Sequence, residues 1–247
     1  MQFSEAKTYL CNKLNTSLSD IAAGSNNLFA LQDITDYLNL GLKRAWDYKP
    51  WTFTEKTYKF TVASALMTSG YIDYPSTFED FSTYRLLIEG LAEFEKKNFA
   101  DYEKWFTDYP TDTSQIWAEN ERFIFINTNA ISLNQIGDIT GKLRAPTLAN
   151  DTDLLPFSPS VDNQENSGNM AIVLLGYADA LNSEKKQNPN QAKLVEAQAF
   201  SILDNVWRPM GERKAKQQQQ NRPFFNSQNF FPDRRTGRYG TNIGNFP

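Results

Sequence analysis

Reactive chemistry needs nucleophiles, acids and bases at workable spacings, and this chain offers few of them. It contains no histidine. That removes histidine-based triads, histidine metal ligands and the usual neutral-pH acid–base group together. Cys11 is the only cysteine, which rules out an internal disulfide and any multi-cysteine zinc site and suits a reducing cytoplasm. The run Gly137-Asp138-Ile139-Thr140-Gly141-Lys142-Leu143 has the look of a phosphate-binding loop, but its spacing is one residue short. Leu143 also replaces the serine or threonine that would hold magnesium, so an ordinary turn is the expected reading. Asp151 and Asp153 supply two carboxylates where calcium takes about six to eight oxygens, which leaves a solvated loop. Glu93 and Glu95 are the kind of pair a glycosidase uses, yet 29 acids in one chain guarantee such pairs by chance. Gln217 to Gln220 is a low-complexity run that reads as a soluble helix end. Asn15-Thr16-Ser17 and Asn150-Asp151-Thr152 match glycosylation acceptors, and without a secretory signal they are chance matches. No catalytic, cofactor or metal site is expected.

The totals point the same way. At 247 residues the chain makes one large or two small domains and would bury about 70–75% of its unfolded surface. Its 18 Phe, 11 Tyr and 5 Trp fit an ordered protein with aromatic-rich contacts. A mean hydropathy of −0.56 argues against a membrane protein. The longest uncharged apolar run, Met170 to Ala178, is far short of the roughly 20 residues of a span. Residues 1 to 20 carry Glu5, Lys7, Lys13 and Asp20 without an apolar block, so no signal peptide is expected. A net charge of −4 disfavours a general nucleic-acid binder, whose affinity needs many cationic contacts to phosphate.

Elements to position any site must come from hydrophobic periodicity. Phe3 to Leu14 has helical spacing, and Asn15 to Asn27 reads as loop with one helical turn at Ser19 to Ala23. Leu31, Ile34, Leu38, Leu42, Ala45 and Trp46 form one stripe of a helix that Lys49-Pro50-Trp51 stops. Tyr58, Phe60 and Val62 alternate with Thr57, Lys59 and Thr61, the period of a half-buried strand. Ala63 to Gly70 is expected to close a loose hairpin, with Tyr71 to Tyr74 returning and Pro75 ending the pairing. Further strands are expected at Thr83 to Glu89, Gln115 to Ala118, Arg122 to Asn127 and Ile136 to Leu143, with a hairpin across Glu119-Asn120-Glu121. A short helix capped by Asn98 places Phe99, Tyr102, Trp105 and Phe106 on the sheet as core packing. Thr147 to Gly168 is an irregular crossover, and Met170, Val173, Leu174, Tyr177, Ala178 and Leu181 make the cleanest helical stripe. Asn188-Pro189 starts a second helix, antiparallel to the first, which Pro209 is expected to kink or end. Glu212 to Gln220 extends only as a solvated helix.

The pattern gives an α+β fold. Residues 1–50 supply N-terminal helices, 51–160 a central inserted antiparallel β module with one short helix, and 161–220 a helical hairpin that completes a bundle. Residues 221–247 are an extended tail of another kind. Phe224, Phe225, Phe230, Phe231, Tyr239 and Phe246 sit among Asn, Gly and Pro, and Arg222, Arg234, Arg235 and Arg238 face Asp233 alone. Without periodicity such a segment has no core of its own, and its apolar content fits a surface that lies on a partner.

The order of these pieces resembles the head-to-tail adaptor, or connector, proteins of short-tailed and related tailed bacteriophages. The likeness runs through Trp46 and Pro50-Trp51-Thr52-Phe53, then Tyr71-Ile72-Asp73-Tyr74-Pro75-Ser76-Thr77-Phe78, then the Phe99 to Tyr102 helix and Tyr109-Pro110. It continues through Leu143 to Pro146, Asp151 to Pro156 and the closing helical hairpin, covering residues 1 to about 210. The chain beyond Pro209 is longer than that pattern requires. The resemblance implies a structural virion protein, not an enzyme, that forms a ring of twelve copies below the portal in the neck between capsid and tail, assembled in the host cytoplasm. Its partners would be the portal, tail or nozzle proteins and its own copies, with genomic DNA passing through the channel unbound and no membrane involved. The tail residues Phe224, Phe225, Phe230, Phe231, Arg234, Arg235, Arg238, Tyr239 and Phe246 are the expected partner-binding set. Two other readings stay open: another neck or tail component such as a stopper, nozzle or fibre-attachment protein, and a virion-associated carbohydrate hydrolase with one raised carboxyl pKa.

Overall fold

The computed structural model describes residues 1–22, 28–157 and 168–221, and side chains as far as Arg208. Residues Met1–Leu203 form one compact unit, and Asp204–Pro247 are assigned to a second. The fold is mixed α+β, with seven helices and two sheets among the described residues. The helices are α1 (Phe3–Lys13), α2 (Leu18–Ala22), α3 (Leu31–Tyr48), α4 (Ser64–Ser69), α5 (Phe99–Asp108), α6 (Gly168–Asn182) and α7 (Pro189–Asn221). The strands are β1 (Glu55–Thr61), β2 (Tyr71–Asp73), β3 (Arg85–Ile88), β4 (Glu95–Lys97), β5 (Ile116–Asn120), β6 (Phe123–Ile126) and β7 (Ile136–Lys142).

The centre of the helical layer is α6, and its burial is wider than its sequence stripe implies. Every residue from Gly168 to Gly176 is buried, as are Ala178, Ala180 and Leu181. A helix buried on nearly all sides needs neighbours on nearly all sides. They are α1 and α3, which both pack on α6, and the start of α7, whose Ala192 and Val195 meet Ala178 and Leu181. Contact between α3 and α6 is backbone to backbone: a Cβ built on Gly41 would lie 2.6 Å from the Ile172 carbonyl oxygen, and one on Gly176 would lie 2.9 Å from that of Tyr37. On α3 the expected stripe is buried from Ile34 to Trp46, while Leu31 at its start is exposed. Helix α7 runs on through Pro209 to Asn221, so that proline does not end it.

The β layer departs from the expected hairpin. Between β1 and β2 stands α4, closed by Gly70 in the left-handed region at φ 77°, and the two strands enter different sheets. β1 pairs with β7, eighty residues on, in a three-stranded antiparallel sheet of order β1-β7-β3. β2 pairs with β6 in a four-stranded sheet of order β2-β6-β5-β4. Its last strand, β4, runs parallel to β5, so the module is not wholly antiparallel. β4 was not legible because Glu95-Lys96-Lys97 has no apolar alternation. The hairpin of β5 and β6 closes through Glu121 and Arg122, with Glu121 at φ 51° and Asn120 opposite Phe123. Residues of both sheets share one apolar core that includes Leu86, Ile88, Trp117, Ile124 and Ile139.

The run from Gly137 to Lys142 is neither a phosphate loop nor a turn but the middle strand β7. Gly137, Ile139 and Gly141 face the core, and the missing side chains make room for rings: Cβ atoms on the two glycines would fall 2.2 Å from the Phe60 ring and 2.8 Å from that of Phe78. The expected alternation of β1 holds only toward its end, where Phe60 is half-buried and Val62 just beyond is buried; Tyr58 lies in one cross-strand row with Ile139 and Leu86. Tyr58 is nonetheless 44% exposed, on the edge strand of its sheet. Gly137→Ala is expected to lose about 1–2 kcal/mol in urea unfolding, since the half-buried Phe60 ring must swing outward. The same substitution in a Phe60→Ala background is expected to cost almost nothing, a non-additivity that isolates the contact.

Two devices join the layers. Trp46 donates its indole N–H to the Leu143 carbonyl at 2.9 Å, and Trp51 donates to that of Ala45 at 2.8 Å. Trp51 is fully buried, with Phe157 edge-on at 4.9 Å and Phe53 stacked at 5.9 Å. The Lys49-Pro50-Trp51 stop thus becomes an aromatic cluster that fixes where the chain leaves α3.

Candidate functional site

Two clusters of wholly or partly buried charge could carry chemistry. Arg44 of α3 donates to Asp179 of α6 at 2.6 Å and to Glu196 of α7, tying three helices with one guanidinium. The second oxygen of Asp179 is buried and without a hydrogen bond among the described residues. Burial raises the Asp179 carboxyl above its usual value; Arg44 opposes this, and the nearby Glu196 adds to it. In the β layer, Glu119 of β5 is almost wholly buried and pairs with Lys96 of β4, while its other oxygen accepts the Thr83 N–H at 3.2 Å. Lys96 also lies 5.0 Å over the Trp117 ring. Burial raises Glu119 as well, against the pull of Lys96. A general acid needs a raised pKa and an oxygen open to substrate. Both Glu119 oxygens are engaged, and the arrangement is that of a cross-strand brace.

The acids singled out by sequence are engaged too. Asp151 pairs with Lys7 at 2.8 Å, and the Asp151 and Asp153 carbonyls accept the first N–H groups of α1 from Ser4 and Phe3. The Asp153 carboxylate accepts from the Ala149 and Asn150 N–H groups, which hold its pKa below the usual value. That loop therefore caps a helix. Glu93 pairs with Arg85 at 3.2 Å and Glu95 with Lys97, so the two side chains bind different cations. Among the described residues no group of three or more His, Cys, Asp or Glu is placed to hold a metal ion. No helix among them is long and apolar enough to cross a membrane.

Openings in the surface differ in character. One of about 520 Å³, beside the layer junction, is lined by Lys43, Asp47, Glu79, Asp80 and Arg144. Its charges are internally matched: Lys142 bridges Asp47 at 2.9 Å and Glu79 at 2.8 Å, and Arg144 meets Asp80 at 2.9 Å. A larger groove of about 600 Å³ runs between the end of α4, the β2–β6 edge and α5. Met67, Phe99, Phe106 and Phe125 line it together with the hydroxyls of Thr68, Ser69, Thr107 and Thr128, so the lining is aromatic and polar in turn, and Glu103 is its only charged residue. Phe99 lies 4.8 Å from Phe125, and Tyr102 stacks on Phe106 at 6.2 Å. The expected core role of the α5 aromatics holds for Tyr102, which packs with Ile116 and Ala118 and whose burial pushes its hydroxyl up to about 12. It fails for Phe106, which is 39% exposed in the groove. Helical spacing puts a residue on a face but does not say whether that face is covered.

The nine tail residues expected to bind a partner, Phe224, Phe225, Phe230, Phe231, Arg234, Arg235, Arg238, Tyr239 and Phe246, lie outside the described residues. Sequence reasoning missed the Arg44 triad, the Lys96–Glu119 brace and the groove, because each joins residues from separate elements. No protein-family model matches the chain, and no curated protein matches it.

Proposed function

We infer that the protein is a structural component of a tailed-phage virion, a head-to-tail adaptor that assembles as a ring below the portal, extends the DNA channel and receives the tail. What carries this reading is the placement of the β module: α1 and α3 pack on α6, so helices from both ends of the sequence share one layer and everything between Glu55 and Lys142 is inserted between them. In this reading the helices act as a bundle and the β module projects from it. Acids held in ion pairs, as the partly buried Asp179 and the buried Glu119 are, favour contact surface over bond making. A ring closes through heterologous contacts, so each copy presents two different complementary surfaces. The acidic balance of the chain lets DNA slide without being gripped. The basic, aromatic tail from 221 to 247 docks on a particle partner, with its phenylalanines as anchors and its arginines on carboxylates.

Negative-stain images of the purified protein, alone and mixed with its portal, test the ring, and gold-labelled antibody on whole particles tests the location. Rings coaxial with the portal and label at the neck are expected. A monomer that persists with portal present, or label elsewhere on the particle, overturns the reading. Truncation after Gln220 is expected to leave the thermal midpoint unchanged and to cut incorporation into particles at least about tenfold, the loss of one or two aromatic anchors. Unchanged incorporation removes the tail from the interface.

A further inference from the structure

The groove between α4 and α5 is a preformed surface of the described residues. Its aromatic lining is preorganised: Phe125 is held from one side by Phe99 at 4.8 Å and from the other by Tyr71 at 5.5 Å. A volume of about 600 Å³ falls in the range of ligand sites, about 300–1,000 Å³. Its bordering strand is poorly suited to adding a strand, because the Ser69 hydroxyl bonds the Tyr71 carbonyl at 2.9 Å at the free edge of β2. An occupant is therefore held by its side chains, as rings against the exposed aromatic side chains of a partly polar groove, with Glu103 beside them as the one charge to answer.

The chain itself contains a segment of that chemistry. Residues 222–247 carry two phenylalanine pairs, Phe224-Phe225 and Phe230-Phe231, beside prolines 223 and 232. With four arginines and one aspartate the segment is at +3, which leaves −7 on residues 1–221 of a chain at −4. A basic, aromatic peptide and an acidic body with an aromatic slot are complementary in both charge and shape. The geometry points to this groove as the seat of the C-terminal segment of a neighbouring copy, one phenylalanine pair entering between Phe99 and Phe106 with an adjacent arginine meeting Glu103. This assignment deepens the ring reading and rests on it for the neighbour, because tail and groove are the two unlike surfaces that a heterologous contact requires.

Photocrosslinking of the full-length chain tests it. p-Benzoylphenylalanine is placed at position 225 or 231, and heavy-isotope and unlabelled chains are mixed before irradiation so that links between copies are separated from links within one. The expected product joins two copies through a peptide containing Met67 or Phe106. Phe106→Arg is expected to reduce that product at least tenfold while the thermal midpoint stays in place, since Phe106 is already partly exposed. Links confined to one copy, links to another surface, or a yield indifferent to Phe106→Arg each overturn the assignment. Ring formation is read separately by negative stain. Rings without groove links sink this inference alone, and groove links between copies that make no ring sink the ring reading alone.

Discussion

Gly41→Ala is expected to lower the stability of the protein by about 2–3 kcal/mol, although alanine is the better helix former by about 1 kcal/mol. Propensity and packing thus predict opposite signs, and distances decide between them. The new methyl would lie 2.6 Å from the Ile172 carbonyl oxygen and 2.8 Å from the Gly176 nitrogen, both backbone atoms of a buried helix. Neither can turn aside as a side chain would, so α3 and α6 must separate. Separation loosens the whole layer, because α6 is the helix on which α1 and α3 both rest. For a chain of this size the loss is a fall of about 5–10 °C in thermal midpoint. Gly176→Ala meets the Tyr37 carbonyl at 2.9 Å and is expected to cost less, in keeping with the longer approach. A rise in the midpoint of Gly41→Ala would show that the helices do not meet there.

Arg44→Leu is expected to cost about 3 kcal/mol at pH 7. Deleting one partner of a fully buried ion pair leaves the other charge uncompensated, which costs about 3–5 kcal/mol; partial exposure of Arg44, Asp179 and Glu196 puts the loss at the low end. Here two carboxylates, Asp179 and Glu196, are left facing each other without their shared cation. The pH dependence follows from Asp179. Burial raises its folded-state pKa above the usual 3.8, so the folded protein binds a proton there more readily than the unfolded chain. Such a group favours folding most at low pH, and that contribution is lost as pH rises through the folded pKa. Without Arg44, which now holds the pKa down, the rise is larger. The stability gap between the parent and Arg44→Leu is therefore expected to narrow as pH falls from 7 to about 4. Urea midpoints at several pH values read it, and a constant or widening gap would exclude Asp179 as the source.

What each residue type could and could not do was decided in the amino-acid order itself. The absence of histidine and the single Cys11 limit chemistry whatever the fold. Local patterns were legible wherever the physics is local. The Asn98 cap does accept the Asp101 N–H at 2.8 Å, and α3 ends at the Lys49-Pro50 stop. The stripes from Ile34 to Trp46 and in α6 are indeed buried. Periodicity marks a face because side chains three or four apart must share it.

Pairing and coverage were decided elsewhere. Nothing in Glu55 to Thr61 says that its partner is Ile136 to Lys142 and not the nearer Tyr71 to Asp73, since strand register depends on the whole set of apolar faces to be buried. Gly137 and Gly141 mimic a phosphate loop in one dimension and seat two rings in three. Gly41 and Gly176 are silent in the sequence yet set how closely two helices lie. Arg44, Asp179 and Glu196 meet across as many as 152 positions, and Phe106 stays partly bare in a groove that only tertiary packing opens. Composition and spacing act along the chain, whereas register, close approach and coverage arise when distant segments compete for the same buried surface.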